Sequence, residues 1–193
     1  MPRKPRQLEN NAVYHLISRG NNRLGIFEVE GGYQHFLELM RLAKIRFNWR
    51  MYHYCLMPNH FHLMAEVPLG EDLPRLMHYL LTQYARWYRF QTVYQGHLWT
   101  GRYRSPIINR ESYMLECGRY IERNPVRARI ASYPEAYLWS SYRFYGLGKP
   151  DKLIDEDPYY TSFGASSWER QKNYRAFVEL PSNAVPASSQ VPF

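Results

Sequence analysis

The chain has 193 residues, 25 Lys/Arg against 17 Asp/Glu for a formal net charge of +8, and a 17% aromatic share. That length suffices for one globular domain with a real core, and no stretch approaches the roughly 18 apolar residues of a membrane span. Two cysteines make no disulfide framework, and no apolar secretory core follows the opening Met1-Pro2-Arg3-Lys4-Pro5-Arg6, so the expectation is a cytoplasmic protein.

The charge is uneven. Residues 1–134 hold 19 Lys/Arg and 10 Asp/Glu, whereas residues 135–193 hold 6 and 7. A basic body rich in planar side chains suits a polyanion with stackable bases, although an arginine-rich soluble surface has the same composition.

In chain order, residues 1–11 read as a flexible basic arm carrying Arg3, Lys4 and Arg6. Ala12 to Ser18 is a short, partly β-branched run ending at the turn cluster Arg19-Gly20-Asn21-Asn22, hence a strand. Tyr33, Phe36, Leu37, Met40 and Ala43 fall at helical spacing and predict an amphipathic helix over 33–47. Arg50–Leu56 and His60–Val67 are strand-like and flank Met57-Pro58-Asn59, which predicts a hairpin with the proline in its turn. A second helix is expected over 73–90, a fourth strand around 98–108, and a third helix over 112–123, stopped by Asn124-Pro125.

The order β-α-β-β-α-β plus a helix is the split βαβ, ferredoxin-like arrangement: an α+β fold with an antiparallel sheet. The domain is expected over 12–148. An extension over 149–180 follows, entered through a linker rich in Gly, Pro and Asp, and Ser166-Ser167-Trp168-Glu169 is a capping-box pattern able to open a short helix to about Glu179. Residues 181–193 are expected to be a disordered tail.

Two constellations carry chemistry. In His60-Phe61-His62 strand alternation puts both imidazoles on one face and Phe61 on the other, where the pair can chelate a metal; a solvated strand face fits the same three residues. Tyr120 and Asn124 stand one helical turn apart, so phenol and carboxamide share a face. The amide oxygen can add a third ligand and the phenol can attack a phosphate, but a core tyrosine beside a helix-ending asparagine is equally compatible.

The motifs taken together resemble the REP-associated tyrosine transposases, relatives of the single-tyrosine transposases of bacterial insertion sequences. The resemblance rests on Ile17-Ser18-Arg19-Gly20-Asn21-Asn22, Leu56-Met57-Pro58-Asn59-His60-Phe61-His62-Leu63, Gly96-His97-Leu98-Trp99-Thr100-Gly101-Arg102-Tyr103, Arg119-Tyr120-Ile121-Glu122-Arg123-Asn124-Pro125-Val126-Arg127-Ala128 and Trp139-Ser140-Ser141-Tyr142, in that order. It implies His60 and His62 as the metal-binding histidine pair, Tyr120 as nucleophile and Asn124 as third ligand, a position held by glutamine in some relatives. It also implies Mg²⁺ or Mn²⁺, cleavage of single-stranded DNA beside hairpins through a 5′-phosphotyrosine, and action as a monomer or a homodimer.

Candidate DNA contacts are Arg3, Lys4, Arg6, Arg19, Asn21, Arg102, Arg104, Arg127 and Arg129, with Trp99, Tyr103 and Tyr94 as possible base-stacking rings. Trp87 and Tyr84, on an apolar helical face, read as core. Two other readings compete: a non-catalytic single-stranded nucleic-acid binder, since the split βαβ fold also serves RNA-binding sheets, and a metal-dependent hydrolase in which Tyr120 is structural.

Overall fold

The computed structural model describes residues 5–109 and 111–180. Arg3 and Lys4 of the arm, and the tail over 181–193, lie outside the described residues.

Alternation along three strands creates a sheet with two different faces. β1 (Ala12–Arg19), β2 (Arg50–Met57) and β3 (His60–Val67) pair antiparallel with a short β4 (Ile107–Ile108) in the order β2-β3-β1-β4. Tyr14, Leu16, Phe61, Leu63, Ala65 and Leu56 point to one face. There they meet Phe36, Leu39 and Met40 of α1 (Gly32–Phe47) and Leu76, Met77, Leu80 and Tyr84 of α2 (Asp72–Gln91). Phe61 is fully buried in this layer, so truncating it to alanine costs about 3–5 kcal/mol.

The opposite face carries Cys55, Met57, Met64 and Ile108, covered by Met114, Cys117 and Ile121 of α3 (Glu111–Arg127). Gly118 makes this approach possible: a Cβ there would stand 2.8 Å from the His53 ring of β2. The sheet is thus sandwiched, α1 and α2 on one side and α3 on the other, which is the α+β, split βαβ arrangement expected. No helix among the described residues is long and apolar enough to cross a membrane.

Three elements differ from expectation. The fourth strand shrinks from 98–108 to Ile107–Ile108, with isolated bridges Gly20–Trp99 and Ile17–Arg104 preceding it. Gly101, at φ +63°, turns the chain away between those bridges.

The third helix does not stop at Asn124 but runs through Pro125 to Arg127. A proline there removes the N–H that would bond the Ile121 carbonyl. Asn124 supplies a replacement: its Nδ2 lies 3.3 Å from Ile121 O and 2.8 Å from Tyr120 O.

The acidic stretch read as a linker is ordered against the sheet. Asp155 accepts from Met51 N and pairs with Lys44 at 2.7 Å, and Asp151 accepts from Tyr54 Oη. Beside it, Ser141 N donates to Tyr54 O, which attaches the chain at the start of α4 (Tyr142–Leu147) to β2. α5 (Ser167–Glu179) opens on the capping box, Ser166 and Glu169 exchanging side-chain-to-backbone bonds as the sequence pattern predicts. Its Tyr174 and Val178 join the core with Tyr145 and Tyr160.

Candidate active site

The face of the sheet covered by α3 holds the site. Pairing of β1 with β3 sets Ile17 opposite His62 and Arg19 opposite His60, so those four side chains share one face. His60 and His62 stand with ring centroids 5.0 Å apart and nearly perpendicular. Register brings in a residue the sequence reading missed: His15, two positions before Ile17 on the same face, whose Nε2 lies 2.9 Å from His62 Nδ1. His15 is 3% exposed and His62 fully buried.

Tyr120 projects from α3 onto this group. Its ring meets His62 edge-on at 5.6 Å and His15 at 6.0 Å. The Arg127 guanidinium lies 4.8 Å over the phenol ring. Helix continuation through Pro125 makes this possible, because Arg127 is then two turns beyond Tyr120 on the same helix.

Electrostatics follow from burial. Burial pushes His15 and His60 down to about 4, and Arg19 adds to the effect at His60. His62 falls well below the usual imidazole value through burial, then through its neighbours His15, His60 and Arg127. All three rings are therefore neutral at pH 7, the form that ligates metals. Burial raises the Tyr120 phenol, and Arg127 pulls it part of the way back by charge and hydrogen bond.

The donor set is chemically suited to a divalent ion. It comprises two neutral imidazoles and, one turn after Tyr120 on α3, the Asn124 amide, whose nitrogen is spent on the Tyr120 and Ile121 carbonyls and whose oxygen keeps its lone pairs. No group of three or more His, Cys, Asp or Glu side chains able to hold a metal occurs among the described residues; a site built on the pair His60 and His62 would take its further ligands from other donor types.

A second buried cluster stands behind α3. Glu122, fully buried, takes bonds from His53 Nδ1 at 2.9 Å, Ser141 Oγ at 2.6 Å and Tyr174 Oη at 2.8 Å. His53 Nε2 lies 3.3 Å from Asp157. Burial alone would lower His53, but its bonds and charge interactions with Asp157 and Glu122 outweigh it and raise the group to about 9. β2, the residue that caps α4, and α5 thus bond one carboxylate of the helix that carries Tyr120, and the acidic stretch reaches it through His53. No local pattern revealed this cluster; His53 and its partner Asp157 alone lie 104 residues apart.

The expected DNA contacts divide. Arg19 and Arg127 belong to the site itself, beside His60 and Tyr120. Arg102, Arg104 and Arg129 are exposed. Asn21 lies in the turn after β1, its N–H bonded to Leu98 O. Arg6 stacks 3.7 Å over the Tyr103 ring and donates to Tyr103 O, which covers one face of that ring. Trp99 is a correction: rather than standing free for a base, it packs on the core and donates its indole N–H to Leu81 O. Tyr84, fully buried, and Trp87, stacked on His35, are the core rings expected.

One solved structure shares this fold. A solved structure of a REP-associated tyrosine transposase bound to a REP hairpin matches with a TM-score of 0.67 at 15% identity, over 80% of this chain and 94% of that one. A crystal structure of a transposase from Deinococcus radiodurans R1 matches with a TM-score of 0.44 at 18% identity, over 70% and 97%. No curated protein matches the chain. The family model of IS200-like transposases matches residues 9–124, from before β1 to the asparagine on α3. That span covers more than half of the chain, and the protein belongs to the IS200-like transposase family.

Proposed function

We propose that this transposase nicks and rejoins single-stranded DNA at hairpins through a covalent 5′-phosphotyrosine on Tyr120, with a divalent metal held by His60, His62 and Asn124. The observation that carries the reading is the convergence of the Tyr120 ring on His62 and His15 across the α3–sheet interface, with Arg127 over the phenol.

Tyr120 Oη attacks the scissile phosphorus. The new Oη–P bond forms as the P–O3′ bond breaks, and the phenolic proton is balanced by the proton the departing 3′ oxygen acquires. One phosphodiester replaces another, so the bond energy is kept and rejoining needs no nucleotide cofactor. A phenol raised by burial is a weak nucleophile until its proton is lost or shared. Arg127 favours the phenolate by charge, and Arg19 adds a second cation beside His60. A divalent ion such as Mg²⁺ or Mn²⁺, held by His60, His62 and Asn124, would supply charge neutralisation at the phosphate. Arg6, Asn21, Arg102, Arg104 and Arg129 track the remaining backbone, with Arg3 and Lys4 ahead of them in the arm. Such contacts carry affinity without sequence information.

The hairpin substrate is supported by the REP hairpin in the similar solved structure. The two cysteines, both free and buried, suit a reducing compartment, and we assign the activity to the cytoplasm.

The test is incubation of end-labelled hairpin DNA with protein and Mn²⁺, followed by denaturing electrophoresis. A labelled band at protein mass supports the reading. A cut without attached protein identifies a hydrolase, and uncut DNA that still shifts in a native gel identifies a binder.

A further inference from the structure

We propose that His15 and Asn59 are positioning residues for the metal site: each fixes the tautomer of one ligating histidine so that its Nε2 carries the lone pair. The inference rests on the reading of His60 and His62 as ligands.

A neutral imidazole has one N–H and one lone pair, and only the lone pair ligates. Which nitrogen carries the proton is set by the hydrogen bond made at the other. For His60 the assignment is forced. Its Nδ1 lies 2.7 Å from Asn59 Oδ1, an oxygen that only accepts, while the Asn59 amide nitrogen faces the Arg23 carbonyl. His60 Nδ1 therefore donates, and its Nε2 holds the lone pair.

For His62 the partner is another imidazole, His15, at 2.9 Å between Nε2 of His15 and Nδ1 of His62. Two arrangements satisfy that contact. If His15 donates, the His62 proton moves to Nε2 and the ring cannot ligate through it. If His62 Nδ1 donates to His15 Nε2, both ligand histidines become Nδ1–H tautomers, each presenting Nε2. This is the usual way in which ligating histidines are oriented by a group bonded to their other nitrogen. The sheet builds it by register: His15 is the diagonal neighbour of His62, its direct partner being Met64. The rings stand with centroids 5.1 Å apart, tilted by 33°, and both are buried.

The test is calorimetric Mn²⁺ titration of the full chain, wild type against His60→Ala, His15→Phe and His15→Gln. In the glutamine variant Oε1 stands where His15 Nε2 did and accepts the same proton. The expected result is a 10–100-fold loss of Mn²⁺ affinity in His15→Phe and recovery to within a few-fold of wild type in His15→Gln. Wild-type affinity in His15→Phe, or equal loss in both His15 variants, overturns the positioning role. Failure of wild type to bind Mn²⁺, or wild-type affinity in His60→Ala, overturns the ligand assignment and the inference together. Should His15→Phe not fold, ¹⁵N spectra of metal-free wild type decide. Protons on Nδ1 of both His60 and His62 are expected, and a proton on His62 Nε2 contradicts the proposal.

Discussion

Asn124 donates its side-chain N–H to the carbonyl of Ile121, the acceptor that Pro125 leaves without a backbone partner. The bond explains how the helix carrying Tyr120 passes through a proline, and it leaves the amide oxygen of Asn124 as the atom that would serve the metal in the proposed mechanism.

The two duties of Asn124 separate by mutation. Asn124→Ala should cost about 1 kcal/mol of stability together with metal affinity. Pro125→Ala restores an N–H for Ile121 O, so the double variant should regain most of the lost stability and none of the metal binding. Chemical denaturation paired with Mn²⁺ titration reads both quantities. Simple additivity of the two stability changes would show that Asn124 does not stand in for the missing N–H.

Stability should fall as pH rises through the mildly alkaline range. His53 is raised from 6.5 to about 9, so its contribution is fully present below about 6.5 and is lost as pH climbs through 9. The shift corresponds to something on the order of 3 kcal/mol. The groups facing it are Glu122 of α3, Asp157, and the Tyr145 ring of α4 stacked at 4.4 Å; Tyr174 and Ser141 act through Glu122. Glu122→Gln should flatten the profile. Urea denaturation at pH 6, 7.5 and 9 tests the point, and a wild-type profile flat over that range would contradict the charged His53.

Much of this was readable beforehand. Helical spacing located α1 and α2, and alternation placed His60 and His62 together with Phe61 in the opposite layer. Local rules misled where a distant partner changed the balance. Pro125 reads as a stop until Asn124 is seen to fill its gap, and the acidic stretch reads as a linker until Asp151 and Asp155 are seen bonded to β2. His15 carried no signal as a lone histidine in an apolar run. Its role depends on pairing with a strand 47 residues away, which periodicity does not specify.

Exposed Arg102 and Arg104 should act on affinity, not chemistry. Replacing each with alanine should weaken hairpin binding and shallow the salt dependence by about one unit per residue. Single-turnover cleavage at saturating DNA should be unchanged. Gel shifts at several salt concentrations measure this, and an unaltered slope in the double variant would remove both from the interface.

The identity of the attacking residue is the centre of the account, and the chain offers 18 tyrosines. Tyr113 is the nearest rival, seven residues before Tyr120 on α3 and half-buried at the edge of the same cluster. Digestion of the trapped protein–DNA adduct and mass spectrometry of the nucleotide-bearing peptide locates the bond directly. The account predicts a phosphodiester on Tyr120, absent from Tyr120→Phe and retained in Tyr113→Phe. An adduct on any other tyrosine, or one that persists in Tyr120→Phe, would contradict it.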